Sequence, residues 1–171
     1  YIGYFNHGKG YTPFLDSLMQ HSLTCTDAFA NGKKSIEGIP CIVSGIPALM
    51  NTPYISGQYN SNNLSSLPFL LKKYGYSSSF YHGGNNGTMG FENFSKMAGY
   101  DYYVGRNEYG DKDYDGTWGV YDEPFFQFFC HELNTQKQPF VATVFSLSSH
   151  HPYAIPPQYH SRFKDGEQPI H

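Results

Sequence analysis

Apolar residues recur along this chain at two different spacings, and the two alternate. After Ser35 the apolar positions Ile36, Ile39, Ile42, Val43 and Ile46 step forward by three, three, one and three residues. That is one face of a helix, running toward Met50 and interrupted or bounded by Pro40 and Pro47. Leu64 to Tyr74 repeats the pattern, with a core face of Leu67, Leu70, Leu71 and Tyr74 and a stop at Gly75. Three further helices are predicted. One follows Thr12, a good N-cap, with Pro13 at its first position. The second is Phe91 to Ala98, stopped at Gly99. The third is Asp122 to Leu133, with an aromatic face of Phe125, Phe126, Phe128 and Phe129.

Between these lie runs with strand character: Leu23 to Phe29, Tyr76 to Tyr81, Tyr100 to Val104 and Phe140 to Leu147. The last is mostly apolar, as in a strand covered on both faces. Residues 51–63, the glycine-rich stretch 82–87 and the charged stretch 105–116 read as loops. From Ala154 onward the chain is rich in proline and polar residues. Helices alternating with strands predict an α/β fold, a mixed and largely parallel sheet flanked by helices. Ligands of such sheets gather beyond the C-terminal strand ends. Ser35, His82 and His150 all fall at or near positions of that kind.

Composition narrows the picture. The chain has 171 residues, 39% apolar and 18% aromatic, including 16 Tyr and 14 Phe. That length suits one domain with a real core, and the aromatic content excludes disorder. The net charge is −3 with no basic run, so no nucleic-acid surface is expected. No stretch of about 18 apolar residues is present, so no membrane span is expected within these residues. The chain opens Tyr1-Ile2-Gly3 without Met and ends Ile170-His171. Both ends read as cuts in a longer protein. The three cysteines, Cys25, Cys41 and Cys130, form no C-x-x-C pair and read as small buried residues.

Several residues could carry chemistry. Ser35 follows Gly32-Lys33-Lys34 and opens an apolar helix. It is either a helix cap or a nucleophile facing an anion held by free backbone N–H groups. Lys33 and Lys34 add positive charge. As a capping box the segment is poor, because Glu37 lies only two residues beyond Ser35. His82 ends a strand and enters a loop where backbone can approach a ligand; a lone histidine in such a place is more often structural. His150 and His151 sit in Ser-Ser-His-His-Pro-Tyr, where an imidazole can donate to a substrate oxygen, bind metal or act as a general acid. Trp118 is either a cleft wall or a buried anchor. Asp111, Asp113 and Asp115 copy the start of a calcium loop, but Glu123 lies one position too far along and no helix pair flanks them.

These motifs together resemble a family. Ser35-Ile36-Glu37-Gly38-Ile39-Pro40-Cys41, with Ala30 to Lys34 before it, resembles the nucleophile segment of lipoteichoic acid synthase-like phosphoglycerol transferases. These belong to the sulfatase branch of the alkaline phosphatase superfamily. The segment is also similar to that of lipid A phosphoethanolamine transferases, where Thr holds the first position. Phe80-Tyr81-His82-Gly83, Trp118 to Phe126, Ser148 to Tyr153 and Tyr11 to Asp16 resemble further blocks. All run in family order.

The resemblance implies an alkaline phosphatase-like fold and an enzyme that transfers or hydrolyses a phosphate-linked headgroup through a Ser35 phospho-enzyme. His82, His150, Lys34 and Trp118 are implied on the substrate side. One divalent metal (manganese, zinc or magnesium) is implied in the full-length protein, with Ser35 as a ligand. The other ligands, a Glu and an Asp-His pair, are expected before Tyr1 and beyond His171. Residues 1–171 are then the central part of one catalytic domain, lacking the strand with that Glu and the part with that pair. Such a piece is expected to bind no metal and to be inactive alone. The implied partners are a phospholipid-type donor and a glycan or lipid acceptor, and the implied location is the outer side of the cell membrane. Met89-Gly90-Phe91-Glu92 carries no arginine where the family has a phosphate clamp. The formylglycine signature of arylsulfatases is also absent around Ser35. Two other readings stay open: a sulfuric ester hydrolase or phosphatase on the same fold, and a non-catalytic binding domain.

Overall fold

The computed structural model describes residues 1–162. The chain divides into two compact units. One spans Ala30–Ser148. The other joins Tyr1–Phe29 to the segment from Ser149 onward.

The larger unit is built on three parallel strands, β1 (Ser77–His82), β2 (Tyr102–Val104) and β3 (Phe140–Phe145), in the order β2-β1-β3. Phe80 pairs with Tyr103 and Thr143, and His82 pairs with Phe145. Parallel neighbours need a crossover between them. Helix α4 (Phe91–Met97) lies in the crossover from β1 to β2. The one-turn α5 (Arg106–Tyr109) and the long α6 (Asp122–Thr135) lie in that from β2 to β3. The unit also holds α2 (Ser35–Ser44) and α3 (Leu67–Lys72).

Period-two alternation sorts the side chains of β1 into two cores. On one face Phe80 packs with Ile39 and Val43 of α2, Ile55, and Phe91 and Phe94 of α4. On the other, Tyr81 packs with Val120 and Phe125, backed by Phe128 and Phe129 of α6. Helices therefore cover both faces of a parallel sheet, as the alternating pattern predicts. β1 is buried along most of its length. β3 is only half-buried throughout, despite its mostly apolar run, because β1 is its one strand neighbour among the described residues.

Four expectations change. Leu23 to Phe29 forms no strand, and Leu23 and Phe29 are 97% and 94% exposed. Helix α3 is shorter than its periodicity implies. Its expected core residues Leu67, Leu70 and Tyr74 lie exposed, and Pro68 is the buried one. The stretch 105–116 is not all loop, since Arg106–Tyr109 makes a helical turn and Tyr114 bridges Val120. Cys25 and Cys130 are exposed and Cys41 is half-buried, so none is a core residue.

Ser66 fastens α3. Its hydroxyl accepts from Phe69 N at 3.2 Å and donates to the carbonyl of Ala98, and the residue is 1% exposed. Ser66→Ala removes a cap and leaves a buried carbonyl short of a donor. The expected loss is about 1–2 kcal/mol, read as a lower urea midpoint with an unchanged slope.

In the smaller unit, α1 (Pro13–Met19) starts after Thr12, as predicted. The Thr12 hydroxyl does not cap the helix. It donates to Asp16 Oδ1 at 2.9 Å and accepts from Gly3 N at 3.2 Å, tying the opening turn to α1.

Candidate functional site

The start of α2 sets the position of Ser35. Lys34 is the N-cap residue, in extended conformation, and Ser35 is the first helical residue. The cap reading of Ser35 is thus corrected by one position. That shift places Glu37 at the third helical position, where a capping carboxylate belongs. Glu37 Oε2 accepts from Lys33 N at 2.7 Å and Lys34 N at 3.2 Å. Gly32 makes this approach possible, because a Cβ there would lie 2.6 Å from the Cβ of Glu37. Ser35, Lys33 and Lys34 are all exposed. The Ser35 hydroxyl makes no hydrogen bond among the described residues. It stands at the positive end of a ten-residue helix, which favours a nearby anion. Glu37 already uses the N–H groups of Lys33 and Lys34, and its own N–H donates to Lys34 O at 2.9 Å, leaving those of Ser35 and Ile36 for a ligand.

His82 closes β1 and is 1% exposed. Its ring stacks on Phe145 at 4.9 Å and meets the edge of Phe91 at 5.2 Å. Nδ1 shares a hydrogen bond of 2.9 Å with the hydroxyl of Tyr103. Burial pushes the imidazole down to about 4, so it is neutral near pH 7. Burial also pushes the Tyr103 hydroxyl up, keeping it protonated. The loop after His82 lies directly on the ring: a Cβ on Gly84 would sit 2.7 Å from Cε1 and 3.0 Å from Nε2. His82 is therefore packed beneath the glycine loop and does not line an open cleft. Tyr103 is a residue the sequence reading missed. Only the register of β2 against β1 brings its hydroxyl to the histidine.

Trp118 is half-buried and reaches the same end of the sheet through backbone pairing. Gly119 bridges Gly84, and Val120 N donates to Gly83 O at 3.0 Å. Asp115 shapes this turn. Its Oδ1 accepts from the N–H groups of Thr117, Trp118 and Gly119 at 2.7, 2.8 and 3.1 Å. Asp115 thus folds inward on its own loop, Asp113 accepts from Tyr109 and Asp111 pairs with Arg106. Each of the three carboxylates already has a protein partner.

Asp122, at the start of α6, holds the end of the β3 segment. Its carboxylate accepts from Leu147 N at 2.7 Å and Ser148 N at 3.0 Å, and the Ser148 hydroxyl accepts from Asp122 N at 2.8 Å. Burial raises the carboxyl above its ordinary range, against those two bonds. His150 belongs to the smaller unit. It is exposed, with Nδ1 2.8 Å from the carbonyl oxygen of His151.

Of the predicted residues, Lys34 and Ser35 are neighbours, and His82 and Trp118 are joined through their loops. Ser35 and His82 are linked indirectly, because Ile36 packs against the core that contains Phe80. Among the described residues no three of His, Cys, Asp or Glu stand close enough to hold a metal ion. The described residues by themselves do not make a metal site.

The family model for sulfatases matches residues 1–171. Lipoteichoic acid synthases 1 and 2 of Bacillus subtilis are each 29% identical over 164 residues. Those matches cover 90% of this chain but only 25% and 24% of the relatives, so the chain spans about a quarter of their length. A solved protein of the alkaline phosphatase superfamily from Vibrio parahaemolyticus superposes with a TM-score of 0.82 at 30% identity, over 91% of this chain and 39% of that one. A lipoteichoic acid synthase from Listeria monocytogenes shares the fold, with a TM-score of 0.77 at 24% identity over 89% and 38%. The family match runs from the first residue to the last, and the superposition at 30% identity is on a protein of the alkaline phosphatase superfamily: this chain belongs to the sulfatase family, on the alkaline phosphatase fold.

Proposed function

We propose that the full-length protein transfers or hydrolyses a phosphate-linked headgroup, of the phosphoglycerol or phosphoethanolamine type, with Ser35 as nucleophile. The observation that carries this reading is the place of Ser35, an exposed hydroxyl on the first residue of α2 inside a chain matched throughout by the sulfatase family. Ser35 Oγ loses its proton and attacks phosphorus, an Oγ–P bond forms, and the bond from phosphorus to the donor's alcohol oxygen breaks, leaving the phosphate with its headgroup on Ser35. The leaving oxygen takes up a proton. A hydroxyl of the acceptor, or water, then displaces Oγ from phosphorus and releases the enzyme.

Lys34 adds positive charge beside the attacked group. His82, Trp118 and His150 are assigned to the substrate side. For His82 the assignment is to a neutral imidazole, acting from beneath the Gly83–Gly84 loop. A divalent metal, manganese, zinc or magnesium, is proposed for the full-length protein, with Ser35 as one ligand and the others outside residues 1–171. The curated relatives are named for making lipoteichoic acid. This supports a phospholipid-type donor, a glycan or lipid acceptor and a catalytic domain on the outer side of the membrane. Among the described residues no helix is long and apolar enough to cross a membrane.

A sulfate ester is the second reading, favoured by the description of the matching family model. Assaying the full-length protein on an aryl phosphodiester and an aryl sulfate separates the two. Release from the phosphodiester is expected; turnover of the sulfate alone overturns the phosphate assignment.

A further inference from the structure

Arg106 carries an incomplete set of hydrogen bonds. Nη1 donates to Asn85 Oδ1 at 3.0 Å, and Nη2 donates to Asp111 Oδ1 at 3.0 Å. The ring of Tyr114 lies against the guanidinium, with its centroid 3.9 Å from Cζ. Nε is buried and has no hydrogen-bond partner among the described residues. A buried donor without an acceptor is destabilising, and native structures contain few of them.

The geometry of the guanidinium shows what is missing. Nε and Nη2 share the edge that grips carboxylates and phosphates through two parallel bonds. Asp111 occupies that edge with a single oxygen, on Nη2 alone. Its side chain is 93% exposed, whereas that of Arg106 is 21% exposed. The arginine is fixed in place by Asn85 and Tyr114, and its two-pronged edge is half filled by a loosely held carboxylate. A purely structural strut leaves no reason for the orphaned Nε–H. A tetrahedral oxyanion in place of Asp111 satisfies both donors.

The location fits a ligand. Arg106 follows the end of β2 by two residues, and its backbone N donates to Gly84 O at 3.0 Å, two residues past the end of β1. This is the C-terminal edge of a parallel sheet, where ligands of such folds collect. Arg106 is the one arginine between residues 30 and 148. The other nearby carboxylates are turned to local partners. Glu108 accepts from Gly105 N and Asn86, Asp113 from Tyr109 and Asp115 from its own turn. Asp111 is the anion that competes for the fork.

We propose that the Nε–Nη2 edge of Arg106 is a binding fork for a tetrahedral oxyanion, a phosphate or sulfate group, and that the Asp111 carboxylate is the internal stand-in which this ligand displaces. The identity of the ligand as a substrate group rests on the proposed ester chemistry; the fork itself does not.

The test is titration of the full-length protein with inorganic phosphate, inorganic sulfate and dimethyl phosphate in separate arms, followed by calorimetry. The proteins are wild type, Arg106→Gln, Arg106→Lys and Asp111→Asn. Arg106→Gln is expected to weaken phosphate binding at least about tenfold. Arg106→Lys restores charge but not the two-pronged grip, and falls between. Asp111→Asn leaves the arginine intact, removes the competing charge and is expected to tighten binding several-fold. Preference among the three anions tells free phosphate from a diester or a sulfate. Phosphate affinity within about twofold of wild type in both Arg106 variants overturns the fork, as does an Asp111→Asn protein that binds no tighter. Phosphate binding that survives Ser35→Ala and is lost in Arg106→Gln supports the fork whatever the fate of the Ser35 assignment.

Discussion

Replacing Ser35 with alanine in the full-length protein is expected to lower turnover by a factor on the order of a thousand or more, with no measurable change in melting. The two halves of this expectation come from one geometry. Ser35 is exposed on the first residue of α2, and Lys34, not Ser35, occupies the cap position. Its hydroxyl holds no part of the fold together, and alanine is a good helix former. The stability change is therefore within about 0.5 kcal/mol. Loss of activity with an unchanged melt then reports chemistry alone. Removing a nucleophile leaves only the acceleration supplied by binding and by charge around the reacting group. Ser35→Thr keeps a hydroxyl and is expected to retain part of the activity. An alanine variant that turns over like wild type would sink the nucleophile assignment, and with it the covalent intermediate.

The second large effect is on stability in acid. His82 is held neutral by burial, near 4 against an ordinary value of 6.5. Below pH 6.5 the unfolded chain takes up a proton at this position and the folded chain does not. Stability is thus fully present above about pH 6.5, and it falls as the pH drops toward 4. The separation of the two values corresponds to about 3 kcal/mol over that window. Asp122, raised by burial, works in the opposite direction lower in the range. A difference measurement isolates the histidine. Denaturant unfolding of wild type and His82→Gln at pH 7, 6, 5 and 4 should show a steep loss in the first and a flatter profile in the second. Parallel profiles would mean that protonation of the ring is not resisted by the core around Phe91, Phe145 and Tyr103.

Much of this architecture was legible in the residues themselves. The three parallel strands match the runs predicted from Tyr76, Tyr100 and Phe140, β1 reaching one residue further to His82, and α1, α4 and α6 lie where the spacing of apolar residues placed them; α2 starts at Ser35 as predicted but stops at Ser44, where left-handed Gly45 ends it short of Met50. These elements have strong local signals: a cap or proline at the start, a glycine at the end, and periodicity in between. The failures came where local pattern and burial part company. Leu23 to Phe29 alternates like a strand but has no strand to pair with among the described residues. The apolar stripe of α3 is real, yet Leu67, Leu70 and Tyr74 stay exposed because periodicity says which face is apolar, not whether anything covers it. Cysteine is buried on average, but that average says nothing about Cys25, Cys41 and Cys130, none of which is in the core.

For the site, the division is sharper. The sequence by itself determined the family, because the order and spacing of several short motifs survive as a pattern along the chain. It also determined that Ser35 opens a helix next to two lysines. Only the tertiary structure decided that Lys34 rather than Ser35 is the cap, which leaves the hydroxyl unused. It alone decided that His82 is buried, neutral and bonded to Tyr103, and that Arg106 stands over the loop after β1 with a half-filled fork. The reason is physical. Helix starts and motif order are fixed by neighbours in the chain, whereas burial, proton affinity and hydrogen-bond satisfaction are set by residues about 20 positions away, brought together only by strand register and packing: 21 between His82 and Tyr103, and 21 between Asn85 and Arg106.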